Sequence, residues 1–208
     1  MSNPMNTWHR LRAGNEKFFV PVRGGQREPA LQAPIAAVFR CADAAVGSEM
    51  ILGQSWGGSL VDVSTWGGHV IDDGVLATME CAVDTLEVPL IVVLGHADCR
   101  AMRAAMRAWD DAVIPEGATR IAVQQALSSI VRRGGASADS VDGGVTAAHI
   151  VETGVALMER SPIISQRIDA GGKCGIICVT TDPVSGQLRT HAAIGPVGEV
   201  PDTLLECV

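Results

Sequence analysis

Residue types that bind soft or borderline metals stand at two places in this chain: Cys41, and the run His96-Ala97-Asp98-Cys99. A His-x-x-Cys spacing lets one turn aim an imidazole and a thiolate at a single point. Two thiolates and one imidazole suit zinc, which favours four tetrahedral ligands. Three protein ligands leave a fourth position for water or substrate, the pattern of a catalytic site rather than a structural one. Each signal alone is modest, because a buried cysteine is usually a small hydrophobe. Their joint placement carries the reading.

Both places follow short apolar runs. PIAAVFRC holds a buried strand over residues 35–39 that leads to Cys41, and PLIVVLG holds another over residues 89–95 that leads to His96. In an open parallel sheet, functional groups gather at the carboxyl ends of strands near a switch in strand order. If these two strands are neighbours, the three ligands meet. The rest of the chain alternates in the same way. The spacing predicts helices over residues 6–19 and 47–52, then a strand over 60–64. A helix capped by Asp72 or Asp73 follows, running through VLATMECAVDTLE. Further helices are expected from about Asp98, over 119–133, over 146–160 and over 162–170. A strand in KCGIICVTTD, a turn at 183–186 and the run LRTHAAI close the chain. Strands alternating with helices give an α/β fold with a mainly parallel sheet. One domain over residues 1–208 is the simplest organisation.

Composition sets the outer bounds. The chain has 208 residues, 47% of them hydrophobic, with three Phe, four Trp and no Tyr, so aliphatic residues and glycine do the packing. A formal net charge of −7 argues against a nucleic-acid surface, which needs a basic face. No apolar run reaches the roughly 18 residues of a membrane span, and the opening MSNPMNTWHRLRAGNEKFF lacks the apolar stretch of a signal peptide. The expected compartment is the cytoplasm, with a small-molecule substrate as partner. There the six cysteines are read as thiols or metal ligands.

Several segments carry a family resemblance. C-A-D-A-A (41–45), I-L-G-Q (51–54), G-H-V-I-D-D (68–73) and V-V-L-G-H-A-D-C (92–99) resemble the β-class carbonic anhydrases, and W-H-R-L-R-A-G-N-E-K-F-F resembles that family's N-terminal helix. The resemblance implies a parallel-sheet core with helices on both faces. It also implies a homodimer or larger assembly formed partly by the N-terminal helix and arm, residues 1–30. Trp8, Leu11, Phe18 and Phe19 would supply the apolar face. It implies Zn2+ held by Cys41, His96 and Cys99, and reversible hydration of carbon dioxide to bicarbonate and a proton.

The chain departs from that family at a telling place. The family motif Cys-x-Asp-x-Arg ends here in Ala45. The missing arginine would hold the aspartate, here Asp43, away from the metal. Without it, Asp43 is expected to take the fourth zinc position and close the site, making activity weak or pH-gated. Arg100 follows the second zinc cysteine, where the family has glycine. It is read either as a substitute partner for Asp43 or as a solvated surface charge. Arg40 is a poorer substitute, because adjacent strand residues point to opposite faces. Trp56 and Trp66 either line an apolar cleft or pack in the core. Two other functions stay open: hydrolysis of a CO2-like molecule such as carbonyl sulfide or carbon disulfide, and a catalytically silent zinc-binding role. Cys81, Cys174 and Cys178 are expected in the core. His9 is expected to be exposed or interfacial, and His69, His149 and His191 have no metal partners in the sequence.

Overall fold

A computed structural model describes residues 5, 8, 9, 12, 13, 33–54, 58–70, 72–132, 144–169, 172–182 and 184–198. The chain opens its sheet with β1 (Ala36–Cys41), then α1 (Ser48–Ile51) and β2 (Leu60–Thr65). Next come α2 (Asp73–Glu80), which continues into a π-helical turn (Cys81–Thr85), and β3 (Leu90–Gly95). The helices α3 (Arg100–Asp111), α4 (Thr119–Arg132), α5 (Thr146–Arg160) and α6 (Pro162–Asp169) follow. The strands β4 (Gly175–Thr181) and β5 (Leu188–Ile194) complete the described fold.

The five strands form one sheet in the order β2-β1-β3-β4-β5. β1 pairs in parallel with both β2 and β3, and β3 with β4; β5 alone runs antiparallel. From β1 the chain goes first to one side and then crosses to the other, so strand order reverses at β1. The carboxyl ends of β1 and β3 therefore lie side by side, with Arg40 in register with Leu94. This is the crevice where α/β sheets place their ligands.

Strands covered on both faces need continuous apolar runs, which explains AAVF and LIVVL. Ala37, Phe39, Ile91 and Val93 face a core shared with α2, α5 and α6; Val38, Val92 and Leu94 face the other way. Burying a side chain such as Phe39 or Ile91 contributes roughly 1.5–3 kcal/mol. A separate apolar cluster joins α3 to α4 through Met102, Ala105, Val123, Ala126 and Ile130, and reaches Cys41 and Cys99. Gly154 lets α5 approach the sheet, since a Cβ there would sit 2.7 Å from Cys178 Sγ.

Several boundaries differ from the sequence expectation for physical reasons. β1 ends at Cys41 as expected but starts at Ala36 rather than at residue 35. α3 begins at Arg100 rather than Asp98, because Asp98 sits in the left-handed region at φ 57°. Asp72 rather than Asp73 caps α2, its carboxylate accepting from the Val75 N–H at 2.9 Å. Cys81 is exposed, against the expectation of a core position. The apolar stripe runs Val75, Leu76, Met79, Ala82, Val83, and helical phase leaves Cys81 opposite it. Cys174 and Cys178 are buried as expected. Of the N-terminal segment, Met5, Trp8, His9, Arg12 and Ala13 are described and exposed, while Leu11, Phe18 and Phe19 lie outside the described residues. Among the described residues no helix is long and apolar enough to cross a membrane.

Candidate metal centre

Backbone geometry at two strand ends builds the site. After Cys41 the chain turns through Ala42 and Asp43, the Ala42 N–H donating to Thr65 O at 2.9 Å. Asp43 is thereby folded back over the end of β1. At the end of β3, Gly95 leaves no room for a side chain, since a Cβ would meet Thr146 and Thr180 methyls at 3.0 Å. His96 follows, and the left-handed Asp98 reverses the chain so that Cys99 returns to the same point. A short polar residue such as Asp tolerates that conformation better than most.

The resulting cluster contains Cys41, Asp43, His96 and Cys99, whose ligand atoms all lie within 4.8 Å of one another. The two sulfurs are 3.8 Å apart. Asp43 Oδ1 is 2.8 Å from Cys41 Sγ and 2.8 Å from His96 Nε2. Its other oxygen, Oδ2, accepts from the Arg100 N–H at 3.0 Å. That N–H is one of the free donors at the start of α3, where a carboxylate is favoured. The Gly67 N–H donates to Cys41 Sγ at 3.1 Å. A recess beside the cluster has apolar walls, including Phe39, Val93, Met102 and Ile150.

His96 shows what the cluster is suited to hold. Its Nδ1 lies 2.8 Å from Ala97 O, and a carbonyl only accepts, so Nδ1 carries the proton. In the neutral ring Nε2 then presents a lone pair. It is buried, without a hydrogen-bond partner, although Asp43 Oδ1 is within ion-pair distance; the approach lacks the direction of an N–H···O bond. A lone pair facing a carboxylate oxygen at that distance is repulsive, so a proton or a metal cation belongs between them. Fixing one ring nitrogen on a carbonyl so that the other can ligate is the usual support of a metal-bound histidine.

The titration of the cluster agrees. The hydrogen bond with Cys99, and then burial, push the Cys41 thiol far up, while the same hydrogen bond lowers Cys99. Without a cation only one of the two sulfurs readily ionises. Burial disfavours the Asp43 carboxylate, but the Cys41 thiol, the Arg100 N–H and His96 outweigh it and hold its pKa below the usual range. Burial likewise disfavours the His96 imidazolium, yet Cys41 and Asp43 raise its pKa. A divalent cation replaces those protons and lets both thiolates ligate. Two sulfurs, one imidazole and one carboxylate fit zinc among the common metals.

All four residues singled out in the sequence meet here. Arg100 serves Asp43, but through its main chain, and the residue is exposed. Arg40 points elsewhere, pairing with Asp62 at 3.1 Å while Ser48 Oγ donates to the same carboxylate at 2.6 Å. Trp66 packs against the α3–α4 cluster; Trp56 lies outside the described residues. His69 and His191 stand apart from the cluster. Gly67 and the residues that hold it were not legible as site residues, although the Gly67-Gly68 pair before His69 marked a tight turn.

The family model for carbonic anhydrase matches residues 36–188. The chain is 40% identical over 211 aligned positions to carbonic anhydrase 2 of Mycobacterium tuberculosis, covering 95% of this chain and 98% of the relative. It is 38% identical over 207 positions to the carbonic anhydrase of Mycolicibacterium smegmatis, covering 96% and 98%. The fold superposes on a Coccomyxa β-carbonic anhydrase solved with acetazolamide, with a TM-score of 0.73 at 19% identity, covering 91% and 88% of the two chains. A tetrameric β-carbonic anhydrase from Sordaria macrospora gives 0.72 at 21% identity, covering 89% and 96%. The chain therefore belongs to the carbonic anhydrase family and has the β-class fold.

Proposed function

We propose that Cys41, His96 and Cys99 hold one zinc ion, with Asp43 as fourth ligand at neutral pH, and that the chain reversibly hydrates carbon dioxide to bicarbonate and a proton. The observation that carries this reading is the convergence of two sulfurs, His96 Nε2 and Asp43 Oδ1 within 4.8 Å of one another, with His96 Nε2 buried and without a hydrogen-bond partner. The match to the carbonic anhydrase family supports the reaction. Zinc supplies the Lewis acidity that acidifies water at neutral pH.

The chain's own residues set when that chemistry is open. Two thiolates neutralise a divalent zinc, and Asp43 brings the closed centre to a net charge of −1. Asp43 Oδ2 is tethered by the Arg100 N–H, so the carboxylate pivots while Oδ1 moves on or off the cluster. Off the cluster, Oδ1 is an acceptor placed to orient a water hydrogen. Ala45 is exposed and offers no charge to draw Oδ1 away, which favours the closed arrangement.

The reading extends to assembly and compartment. None of the described cysteines forms a disulfide, which fits a reducing compartment such as the cytoplasm. The exposed Trp8, 62% accessible, fits an N-terminal segment that packs on a second copy of the chain, giving a homodimer or larger.

The test is stopped-flow hydration of carbon dioxide on zinc-verified protein from neutral to alkaline pH, with carbonyl sulfide run beside it. Slow turnover at neutral pH that rises in alkali is expected, since hydroxide then competes with Asp43. Zinc-loaded protein inert at every pH would mean a silent homologue; turnover of carbonyl sulfide alone would reassign the substrate.

A further inference from the structure

His149 takes no part in the chemistry described so far, yet it is buried on α5, at the rear of the metal centre. Its Nε2 lies 2.8 Å from Gly67 O and its Nδ1 lies 3.0 Å from Ser129 Oγ. A carbonyl only accepts, so Nε2 carries the proton and donates to Gly67 O. Nδ1 then accepts from the Ser129 hydroxyl, which also lies 3.0 Å from Gln125 O. One helical turn further on, Thr153 Oγ1 donates to Gly68 O at 3.2 Å, sharing its proton with His149 O. Residues four apart lie on one helix face, so α5 takes both carbonyls of the glycine pair.

That pair needs holding. Gly67 and Gly68 both have left-handed φ, +87° and +61°, and glycine has more conformational freedom to lose than any other residue. The pair is also tightly enclosed. A Cβ on Gly68 would meet the Cys41 main-chain N at 3.3 Å, and one on Gly67 would meet the Cβ atoms of Ala101 and Ala122 at 3.3 Å. The Gly67 N–H points at Cys41 Sγ. A hydrogen bond to a thiolate stabilises its charge.

We propose that His149, oriented by Ser129, is a positioning residue of the metal centre: it fixes the Gly67 carbonyl so that the N–H of the same residue stays aimed at Cys41 Sγ. The proposal rests on the zinc reading above. Its chain of contacts is Ser129 to His149 to Gly67 to Cys41, and it acts through the main chain of Gly67 alone.

The test measures zinc affinity by competition with a chromophoric chelator. It also records the sulfur-to-metal charge-transfer band of the Co2+-substituted protein. His149→Leu should lower zinc affinity by about 10–100-fold, the usual effect of losing an outer-shell support, and shift the Co2+ band. His149→Gln, whose Nε2 reaches Gly67 O, should restore affinity and band. Ser129→Ala should lie between. Leu157→Ala, a core lesion on the same helix, should lower thermal stability without moving the band. If His149→Leu does not fold, Ser129→Ala against His149→Gln decides. Wild-type affinity and an unmoved band in the folded His149→Leu protein, or in Ser129→Ala if it stands alone, overturn the proposal. A wild-type chain that takes up neither metal overturns the zinc reading, and this proposal with it.

Discussion

Acidification should destabilise the fold through His149. The ring is enclosed on all sides, and burial, opposed by its bond to Gly67 O, draws its pKa from 6.5 down to about 4. Above about pH 6.5 neither the folded nor the unfolded chain protonates it, and it contributes no pH dependence. Between that value and about pH 4 the unfolded chain binds a proton that the folded chain refuses, so stability falls as pH falls. Below about pH 4 both are protonated and the loss is complete. It amounts to about 3.5 kcal/mol, from roughly 2.5 pH units at about 1.4 kcal/mol each, of which about 2 kcal/mol is gone by about pH 5. For a chain of this size that lowers Tm by about 4–8 °C. Urea and thermal unfolding at about pH 7 and about pH 5 measure it, with His149→Gln as reference because glutamine keeps the donor but does not titrate. His96 works in the opposite direction: its raised pKa adds stability on acidification that is lost as pH rises through the folded value. Asp43, with a lowered pKa, costs stability only as pH falls through the carboxylate range. Both are common to the two proteins and cancel in the difference. Equal loss of Tm in wild type and His149→Gln would refute the reasoning.

Three further outcomes follow from the same geometry. Ala45→Arg should raise carbon dioxide hydration at neutral pH about fivefold, if about 1 kcal/mol of partly solvated pairing draws Asp43 from the metal; the exposed position of Ala45 leaves room for the longer side chain, and an unchanged rate at verified zinc content would speak against gating by Asp43. Gly154→Ala should cost about 1–3 kcal/mol by overpacking, because its Cβ would lie 2.7 Å from Cys178 Sγ; adding Cys178→Ala should recover part of the loss in urea unfolding, and no recovery would place the strain elsewhere. Deleting residues 1–20 should shift light scattering toward monomer, and an unchanged mass would show that the assembly does not use Trp8 and its neighbours.

The amino-acid sequence by itself determined most of the described elements and singled out the four side chains that cluster. AAVF and LIVVL are apolar at successive positions, as a strand covered on both faces requires, and they lead through Arg40 and Gly95 to Cys41 and His96. Asp43 and Cys99 were legible from their spacing to those two. The phase of Val75, Leu76, Met79, Ala82 and Val83 also held the answer for Cys81, which residue type alone assigned to the core. Only the tertiary structure decided three things. Strand order is set by which apolar faces pack together, and it made β1 and β3 neighbours. The support of Asp43 comes from the Arg100 N–H, a main-chain donor that every residue but proline carries, so no side-chain pattern could announce it. The support of Cys41 comes from Gly67, held by His149 at a separation of 82 residues. Such a contact depends on the rotation of α5 against the sheet, set by the packing of Ile150, Gly154 and Leu157 rather than by any local spacing.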